Sequence, residues 1–211
     1  VQILMLPGGF SAGDEPEGSG KFIAAALRDA RIVEEIHRLL YVRDGLALGI
    51  CNGFQALVKL GLLPFGRIEP MESSSPTLTF NRVGRHVSAY VETQVVSNLS
   101  PWLSLVNPGD RHQVPVSHGE GCFVADADLL KRLAANGQIA TRYVDVDGLP
   151  AHRFPDNPNG SRFAVEGICS PDGRILGKMA HSERIGSHIA RNVPGQKDQA
   201  LFEAGVRYFI G

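Results

Sequence analysis

Cys51 stands where a strand-like segment gives way to a helix-like one, within Gly49-Ile50-Cys51-Asn52-Gly53. Residues 45–50 are almost all apolar, as in a buried strand, and apolar residues then recur at helical spacing. A nucleophile at such a strand–turn–helix elbow is forced out of the sheet, and the flanking glycines allow close packing. Because the start of a helix favours negative charge, we expect a lowered pKa and a reactive thiolate at Cys51. The backbone N–H of Asn52 is then expected to face an oxyanion on the substrate.

His181 and Glu183 supply the groups that a thiol nucleophile needs. They lie in the segment "LGKMAHSERIG", at the end of a strand-like run. Side chains two residues apart on an extended chain share one face, so the carboxylate can hold one ring nitrogen while the other faces Cys51. We therefore expect His181 to act as the base and Glu183 to orient it.

The cysteines also have an ordinary structural interpretation. Buried cysteines usually pack as small hydrophobic side chains, and an isolated H-x-E pair is a weak signal. The elbow around Cys51 and the H-x-E pair support each other, so we favour catalysis for both. Cys122 and Cys169 have no such context, and we expect them only to pack in the core.

The other histidines are weaker candidates. His118 lies in the Gly-rich turn "SHGEG", where it could line a pocket. His112 and His118 could form a metal pair, but a third ligand at suitable spacing is missing, so we predict no metal site. Ordinary structural roles are expected for the remaining four, His37, His86, His152 and His188.

These side chains must be positioned by an α/β framework. Two apolar strands, at 2–6 and 45–50, are separated by a helical pattern over 21–40, which predicts a mostly parallel central sheet with helices on both faces. An alternating stretch at 86–96 and a hairpin around 171–173 predict an antiparallel extension. A closing amphipathic helix is expected within 197–210, and the polar segment 152–162 is expected to be a mobile loop.

Composition excludes several classes of function. The 211 residues are 43% hydrophobic and 20% charged, with a formal net charge of −1, so nothing points to nucleic-acid binding. The apolar runs are too short to span a membrane, and the first residues do not resemble a secretion signal. Three widely spaced cysteines do not form a disulfide framework. We therefore expect a cytoplasmic protein.

Five motifs occur in an order typical of one family. They are "PGGFSAGD" at 7–14, "GICNGFQAL" at 49–57, "FNRVGRH" at 80–86, "SHGEG" at 117–121 and "HSER" at 181–184. With them the chain resembles the class-I (triad) glutamine amidotransferase domains, and more narrowly the glutaminase domains of phosphoribosylformylglycinamidine (FGAM) synthases. The resemblance implies the flavodoxin-like fold of that class, with helices on both faces of the sheet.

The resemblance also implies a role for each matching residue. Cys51 attacks the side-chain amide of glutamine to form a glutamyl thioester, His181 shuttles the proton and Glu183 orients the imidazole. The implied oxyanion-hole donors are the amides of Asn52 and of Gly9 or Phe10. The implied substrate-binding residues are Gly8, Gln55, Asn81 and His118, the first as part of the Gly8-Gly9-Phe10 loop.

A partner is implied as well. Ammonia passes to an FGAM synthetase domain, in the same polypeptide or in a partner subunit, which uses ATP and Mg²⁺. The chain has no Gly-rich phosphate loop of the Walker type, so no cofactor is expected in this domain. Family members normally begin with one more strand and helix, so residues 1–211 are expected to be a single glutaminase domain without that unit, and the C-terminal part of a larger synthase.

Two alternative functions remain open from sequence. One is a stand-alone thiol hydrolase acting on γ-glutamyl substrates, against which "FSAGD" and "HGEG" argue. The other is a non-catalytic module of the same fold, against which His181 and Glu183 argue.

Overall fold

The computed structural model describes residues 1–9 and 18–210. Its strands are β1 (Ile3–Leu6), β2 (Leu46–Ile50), β3 (Thr77–Phe80), β4 (Val87–Val95), β5 (Arg111–His118), β6 (Glu120–Val124), β7 (Ile139–Tyr143), β8 (Val165–Cys169) and β9 (Ile175–Lys178). Seven of them form one sheet in the order β1-β2-β9-β8-β7-β4-β5, and β3 pairs with β6 in a second sheet. The two strands predicted first, at 2–6 and 45–50, are confirmed as β1 and β2.

The main sheet is less parallel than the sequence predicted. Its β1–β2 and β2–β9 pairs are parallel, whereas β9–β8, β8–β7, β7–β4 and β4–β5 are antiparallel. The α/β class and the antiparallel extension are confirmed, but a mostly parallel sheet is only partly matched. The reason lies in the connections, since strands joined by a short turn, as β8 and β9 are, can pair only in the antiparallel sense.

The helices are α1 (Lys21–Leu27), α2 (Ala30–Tyr41), α3 (Asn52–Leu60), α4 (Leu62–Phe65), α5 (Ala127–Ala135) and α6 (Leu201–Ile210). One helix was predicted over 21–40, and it is broken because the Asp29 carboxylate accepts the N–H of Arg31 at 3.0 Å and so caps α2. Across the described residues, no helix combines the length and the apolar character that crossing a membrane requires.

Glycines let α3 pack directly on the first two strands. A Cβ on Gly53 would lie 1.9 Å from the carbonyl oxygen of Leu6, and one on Gly49 would lie 2.5 Å from Leu57 Cδ1. All five residues of β2 are buried, so both faces of this strand are covered. The close packing expected of the glycines around Cys51 is confirmed.

The order of the parallel strands explains which residues meet. β1, β2 and β9 are neighbours and point the same way, so they end at one edge of the sheet. Gly8 follows β1, Cys51 follows β2 and His181 follows β9 within three residues. Residues distant in sequence are thus brought to a single edge, where α/β sheets usually place their sites.

The polar segment 152–162 is better packed than its composition predicts. Asn157, Asn159 and Ser161 are all buried. The Asn157 amide nitrogen donates to the carbonyl oxygens of Ala151 and Ser161, and that of Asn159 donates to the Tyr143 hydroxyl at 3.0 Å. These side chains take the place of regular secondary structure in satisfying the backbone, which a loose, mobile loop would not do.

Candidate active site

Cys51 occupies a strained turn at the start of α3. Its φ of 53° and ψ of −108° place a non-glycine residue in an uncommon backbone conformation, as at a nucleophile elbow. Its N–H donates to the carbonyl oxygen of Lys178 at 2.8 Å, which ties the turn to the end of β9. The side chain is only 6% exposed and reaches the pocket described below.

Cys51 and His181 are packed against the same stretch of backbone at Gly8. A Cβ on Gly8 would lie 2.7 Å from His181 Cε1 and 3.2 Å from Cys51 Cβ. Both side chains also line one small pocket. The nucleophile and the base predicted from sequence are therefore neighbours, although 130 residues separate them along the chain.

Glu183 holds the imidazole of His181 from behind. The distance from His181 Nδ1 to Glu183 Oε1 is 2.6 Å, and the backbone N–H of His181 donates to the carbonyl oxygen of Pro115 at 2.8 Å. Partial burial is the largest single effect on Glu183 and opposes its ionisation, but the hydrogen bond from His181, a backbone N–H and the charges of His181 and Arg184 together lower the carboxyl pKa. His181 Nε2 is buried and has no hydrogen-bond partner among the described residues, so it is available to a reacting group.

The thiol of Cys51 is not the preformed thiolate that the helix start predicted. Burial raises its pKa to about 11, although the backbone N–H groups of Asn52 and Gly9 and the charge of Arg184 act in the opposite direction. The expected effect of the helix amides is present but smaller than the cost of removing the sulfur from water. A base is therefore needed to take the proton, and His181 is the candidate.

The predicted oxyanion-hole donors lie beside the sulfur where they are described. The backbone N–H groups of Asn52 and Gly9 both point at Cys51. Phe10, the alternative donor to Gly9, lies outside the described residues, as does the rest of the "FSAGD" motif. The position of these amides suits an oxyanion hole, and that role stays a prediction.

Among the predicted substrate-binding residues, Gln55 and His118 line the pocket. The Gln55 amide nitrogen donates to the carbonyl oxygen of Glu120 at 2.5 Å. Asn81 does not line the pocket but lies behind His118. Its amide nitrogen donates to the His118 carbonyl oxygen at 2.7 Å, and its side-chain oxygen lies 3.2 Å from His118 Nδ1. Asn81 thus holds His118 in place, and Gly8 contributes the backbone contact described above.

His118 is a neutral imidazole in this site. Burial, followed by the nearby charge of His181, lowers its pKa to about 4. Its Nε2 is buried and has no hydrogen-bond partner in the described part of the chain. His118 can therefore offer one neutral ring nitrogen to a ligand.

Four further pocket residues with polar or charged side chains were not singled out from the sequence. They are Ser19, Ser117, Glu120 and Arg184. A Glu120 carboxylate oxygen accepts the N–H of Ser19 at 3.1 Å, which joins the chain that enters α1 to the first residue of β6. The sequence held a signal for three of them, since Ser117 and Glu120 belong to "SHGEG" and Arg184 belongs to "HSER".

The described residues offer no metal site. Within residues 1–9 and 18–210, no three or more His, Cys, Asp and Glu residues are grouped so that they could hold a metal ion. Cys122 and Cys169 are buried, and all three cysteines are free thiols. Both lie in the packed interior, as expected for structural cysteines.

Comparison with known proteins gives one consistent result. The family model of CobB/CobQ-like glutamine amidotransferase domains matches residues 1–209. The chain is 37% identical to the phosphoribosylformylglycinamidine synthase subunit PurQ of Synechococcus sp. (strain JA-3-3Ab), over 100% of this chain and 80% of that protein. It is 34% identical to the PurQ subunit of Gloeobacter violaceus, over 96% of this chain and 78% of that protein. A solved structure of PurLQS from Thermotoga maritima superposes with a TM-score of 0.70 at 28% identity, over 98% of this chain and 79% of that one.

Proposed function

The chain belongs to the CobB/CobQ-like glutamine amidotransferase family, and from this membership and its likeness to PurQ subunits we propose that it is the glutaminase part of an FGAM synthase of purine biosynthesis. It hydrolyses glutamine to glutamate and ammonia, and a synthetase partner uses the ammonia. The observation that carries the proposal is the packing of Cys51 and His181 against Gly8, with Glu183 2.6 Å behind the imidazole.

The first chemical step acylates Cys51. The free Nε2 of His181 takes the thiol proton as the sulfur attacks the side-chain amide carbon of glutamine. The N–H groups of Asn52 and Gly9 hold the oxyanion that develops, a contribution typically worth about 3–4 kcal/mol per donor. His181 then gives its proton to the leaving amine, so ammonia departs and a γ-glutamyl thioester remains.

The second step releases glutamate. His181 takes a proton from a water molecule, whose oxygen attacks the thioester carbon in the same oxyanion hole. The thiolate leaves and recovers the proton from His181, which restores the starting state. Glu183 keeps the imidazole in one tautomer through both steps and stabilises the imidazolium each time it forms.

Opposite charges in the pocket suit the zwitterionic end of glutamine. Glu120 offers a carboxylate to the α-ammonium group, and Arg184 offers a guanidinium to the α-carboxylate. The neutral His118 and the amide of Gln55 add uncharged polar contacts. Substrate recognition therefore rests on a carboxylate and a cation that enter the pocket from different elements.

The synthetase is a separate partner. Likeness to PurQ subunits and to a PurLQS structure supports a PurL-type synthetase as the one that receives the ammonia. ATP and Mg²⁺ belong to that partner, which activates formylglycinamide ribonucleotide so that ammonia can displace the activated oxygen. Residues 1–211 act as one glutaminase domain beside it.

The alternatives are less well supported. A non-catalytic module would not need an imidazole held by a carboxylate beside an elbow cysteine. A stand-alone γ-glutamyl hydrolase would use the same triad, but the relatives named above are synthase subunits.

Trapping with a glutamine-analogue electrophile tests the proposal. 6-Diazo-5-oxo-L-norleucine should add one adduct, on Cys51, and glutamine should protect against it. The Cys122→Ala and Cys169→Ala variants should label as the wild type does. An adduct at another residue, or none in a folded protein complexed with its synthetase, would contradict the proposed function.

A further inference from the structure

A buried ion pair lies directly behind the candidate active site. Glu166 on β8 and Lys178 at the end of β9 have side chains that are 0% and 1% exposed, and Lys178 Nζ lies 3.2 Å from Glu166 Oε1. Neither side chain reaches the pocket that holds Cys51. From its contacts we propose that this pair is a positioning device that sets the place of the His181 imidazole, an inference that rests on the proposed function.

The pair binds the peptide groups on both sides of Ala180 and the side chain of Ser182, the two residues that flank His181. Glu166 Oε1 accepts the N–H of Ala180 at 2.7 Å. Lys178 Nζ donates to the carbonyl oxygen of Ala180 at 3.1 Å and to the hydroxyl of Ser182 at 2.9 Å. The Ala180 carbonyl belongs to the peptide bond that leads into His181, so its direction helps to set where the imidazole points.

Lys178 also touches the nucleophile through its backbone. Its carbonyl oxygen accepts the N–H of Cys51 at 2.8 Å. One residue therefore fixes the turn of Cys51 with its main chain and the segment of His181 with its side chain. A shift of Lys178 would change the relation between sulfur and imidazole, and misplacement by about 1 Å can cost about 100-fold in rate.

The remaining polar atoms of the pair have their own partners. Glu166 Oε2 accepts from the Thr141 hydroxyl at 2.5 Å, and the Ser182 hydroxyl donates to Gln199 Oε1 at 2.6 Å. A buried ion pair is usually no more stabilising than well-packed apolar side chains of the same volume. Stability alone therefore gives little reason for two buried charges here, whereas their contacts around His181 give a direct one.

Two variants separate positioning from simple stability. Lys178→Met leaves a buried carboxylate without its cation and should lower the unfolding midpoint by about 10 °C. The double variant Glu166→Gln/Lys178→Met removes both charges but keeps an acceptor for the Ala180 N–H, and it should regain most of that loss. Because neither variant restores the donor to Ala180 and Ser182, kcat for glutamine hydrolysis should stay about 10- to 100-fold low in both, with KM within about twofold of the wild-type value.

A second measurement does not depend on glutamine turnover. In the complex with the synthetase, iodoacetamide should alkylate Cys51 several-fold more slowly in both variants, as read by peptide mass spectrometry, because the base that takes the thiol proton is misplaced. Ser182→Ala, a milder change, should lower both rates in the same direction. Gln138→Leu is the matched control, since Gln138 is a buried side chain that donates to the Pro64 and Cys169 carbonyls at the end of β8, away from His181. This variant should lower stability with kcat and alkylation unchanged.

The outcomes distinguish the two proposals. Recovery of kcat and of the alkylation rate together with stability in the double variant would overturn the positioning role. A wild-type complex that does not hydrolyse glutamine would overturn the proposed function, while the alkylation rates would still decide whether the pair positions His181.

Discussion

Burial keeps the thiol of Cys51 protonated until a base removes its proton. With its pKa raised to about 11, the resting sulfur is a weak nucleophile at neutral pH, and reaction depends on His181. His181 in turn depends on Glu183, whose lowered pKa keeps the carboxylate charged. The reactivity of this site therefore depends on the three side chains acting together and not on the sulfur alone.

Glu183→Gln should show this dependence. The amide can still reach Nδ1 but neither fixes the tautomer nor stabilises the imidazolium, so kcat for glutamine hydrolysis should fall by roughly 100-fold or more with KM little changed. Steady-state kinetics of the synthase complex would measure it. Glu203→Gln on α6, an exposed ion-paired carboxylate, is the matched control. A Glu183→Gln enzyme within twofold of the wild-type kcat would refute this role.

His118 should make stability fall in mild acid. Its pKa is lowered from 6.5 to about 4 by burial, so the unfolded chain takes up the proton first as pH falls. The contribution of His118 is present above about pH 6.5 and is lost as pH falls towards 4, by about 3 kcal/mol. Urea unfolding at several pH values should give a flatter stability profile for His118→Gln. Parallel profiles for the two proteins would show that His118 carries no such shift.

The arrangement of the strands and of the turns between them brings these side chains together in one site. Three adjacent parallel strands, β1, β2 and β9, end at one edge and deliver Gly8, Cys51 and His181 there. Glycine is required where the elements touch, because no side chain fits between the end of β1 and the two catalytic candidates. The geometry is thus set by backbone contacts, which are stiffer than contacts between side-chain tips.

Gly8→Ala should impair catalysis with little loss of stability. The added Cβ would lie 2.7 Å from His181 Cε1, so the imidazole must move, and kcat should fall by about 10-fold or more. Gly186→Ala is the control, since the nearest atoms there are the far end of the flexible Ile189 side chain at 3.3 Å. Kinetics and thermal unfolding of both variants would be compared. Equal kcat values would mean that the imidazole is not held against Gly8.

The predictable elements are those with a clear apolar pattern. β1, β2 and α3 could be predicted because continuous apolar runs and helical spacing leave few alternatives. The break at Asp29 was missed because a capping aspartate resembles any surface charge within a helical pattern. The antiparallel majority of the sheet was missed because pairing partners depend on long-range topology. The burial of 152–162 was missed because its hydrogen bonds join polar residues that composition assigns to solvent.

The candidate site was predictable to a similar degree. Cys51, His181 and Glu183 stood out by their spacing and by family motifs. The direction of the Cys51 pKa shift could not be predicted, because it depends on how deeply the sulfur is buried, and residue spacing does not reveal burial. Glu166 and Lys178 gave no signal either, since a charged residue in a strand pattern normally faces solvent.

As a whole, the molecule has the features expected of the proposed glutaminase. Its pocket carries groups suited to glutamine, and its described residues contain no grouping suited to a metal ion. The two curated relatives named above are PurQ subunits that it matches over most of their length. The proposed transfer of ammonia to a synthetase gives the account its most direct test.

The decisive measurement compares nitrogen sources in the synthase complex that contains the Cys51→Ser variant. FGAM synthesis from glutamine should fall to background, since the serine hydroxyl is a far weaker nucleophile in this site, while synthesis from added ammonium salt should stay at the wild-type rate. Retention of glutamine-dependent synthesis by the variant would contradict the account, because ammonia would then be released without the thiol at position 51.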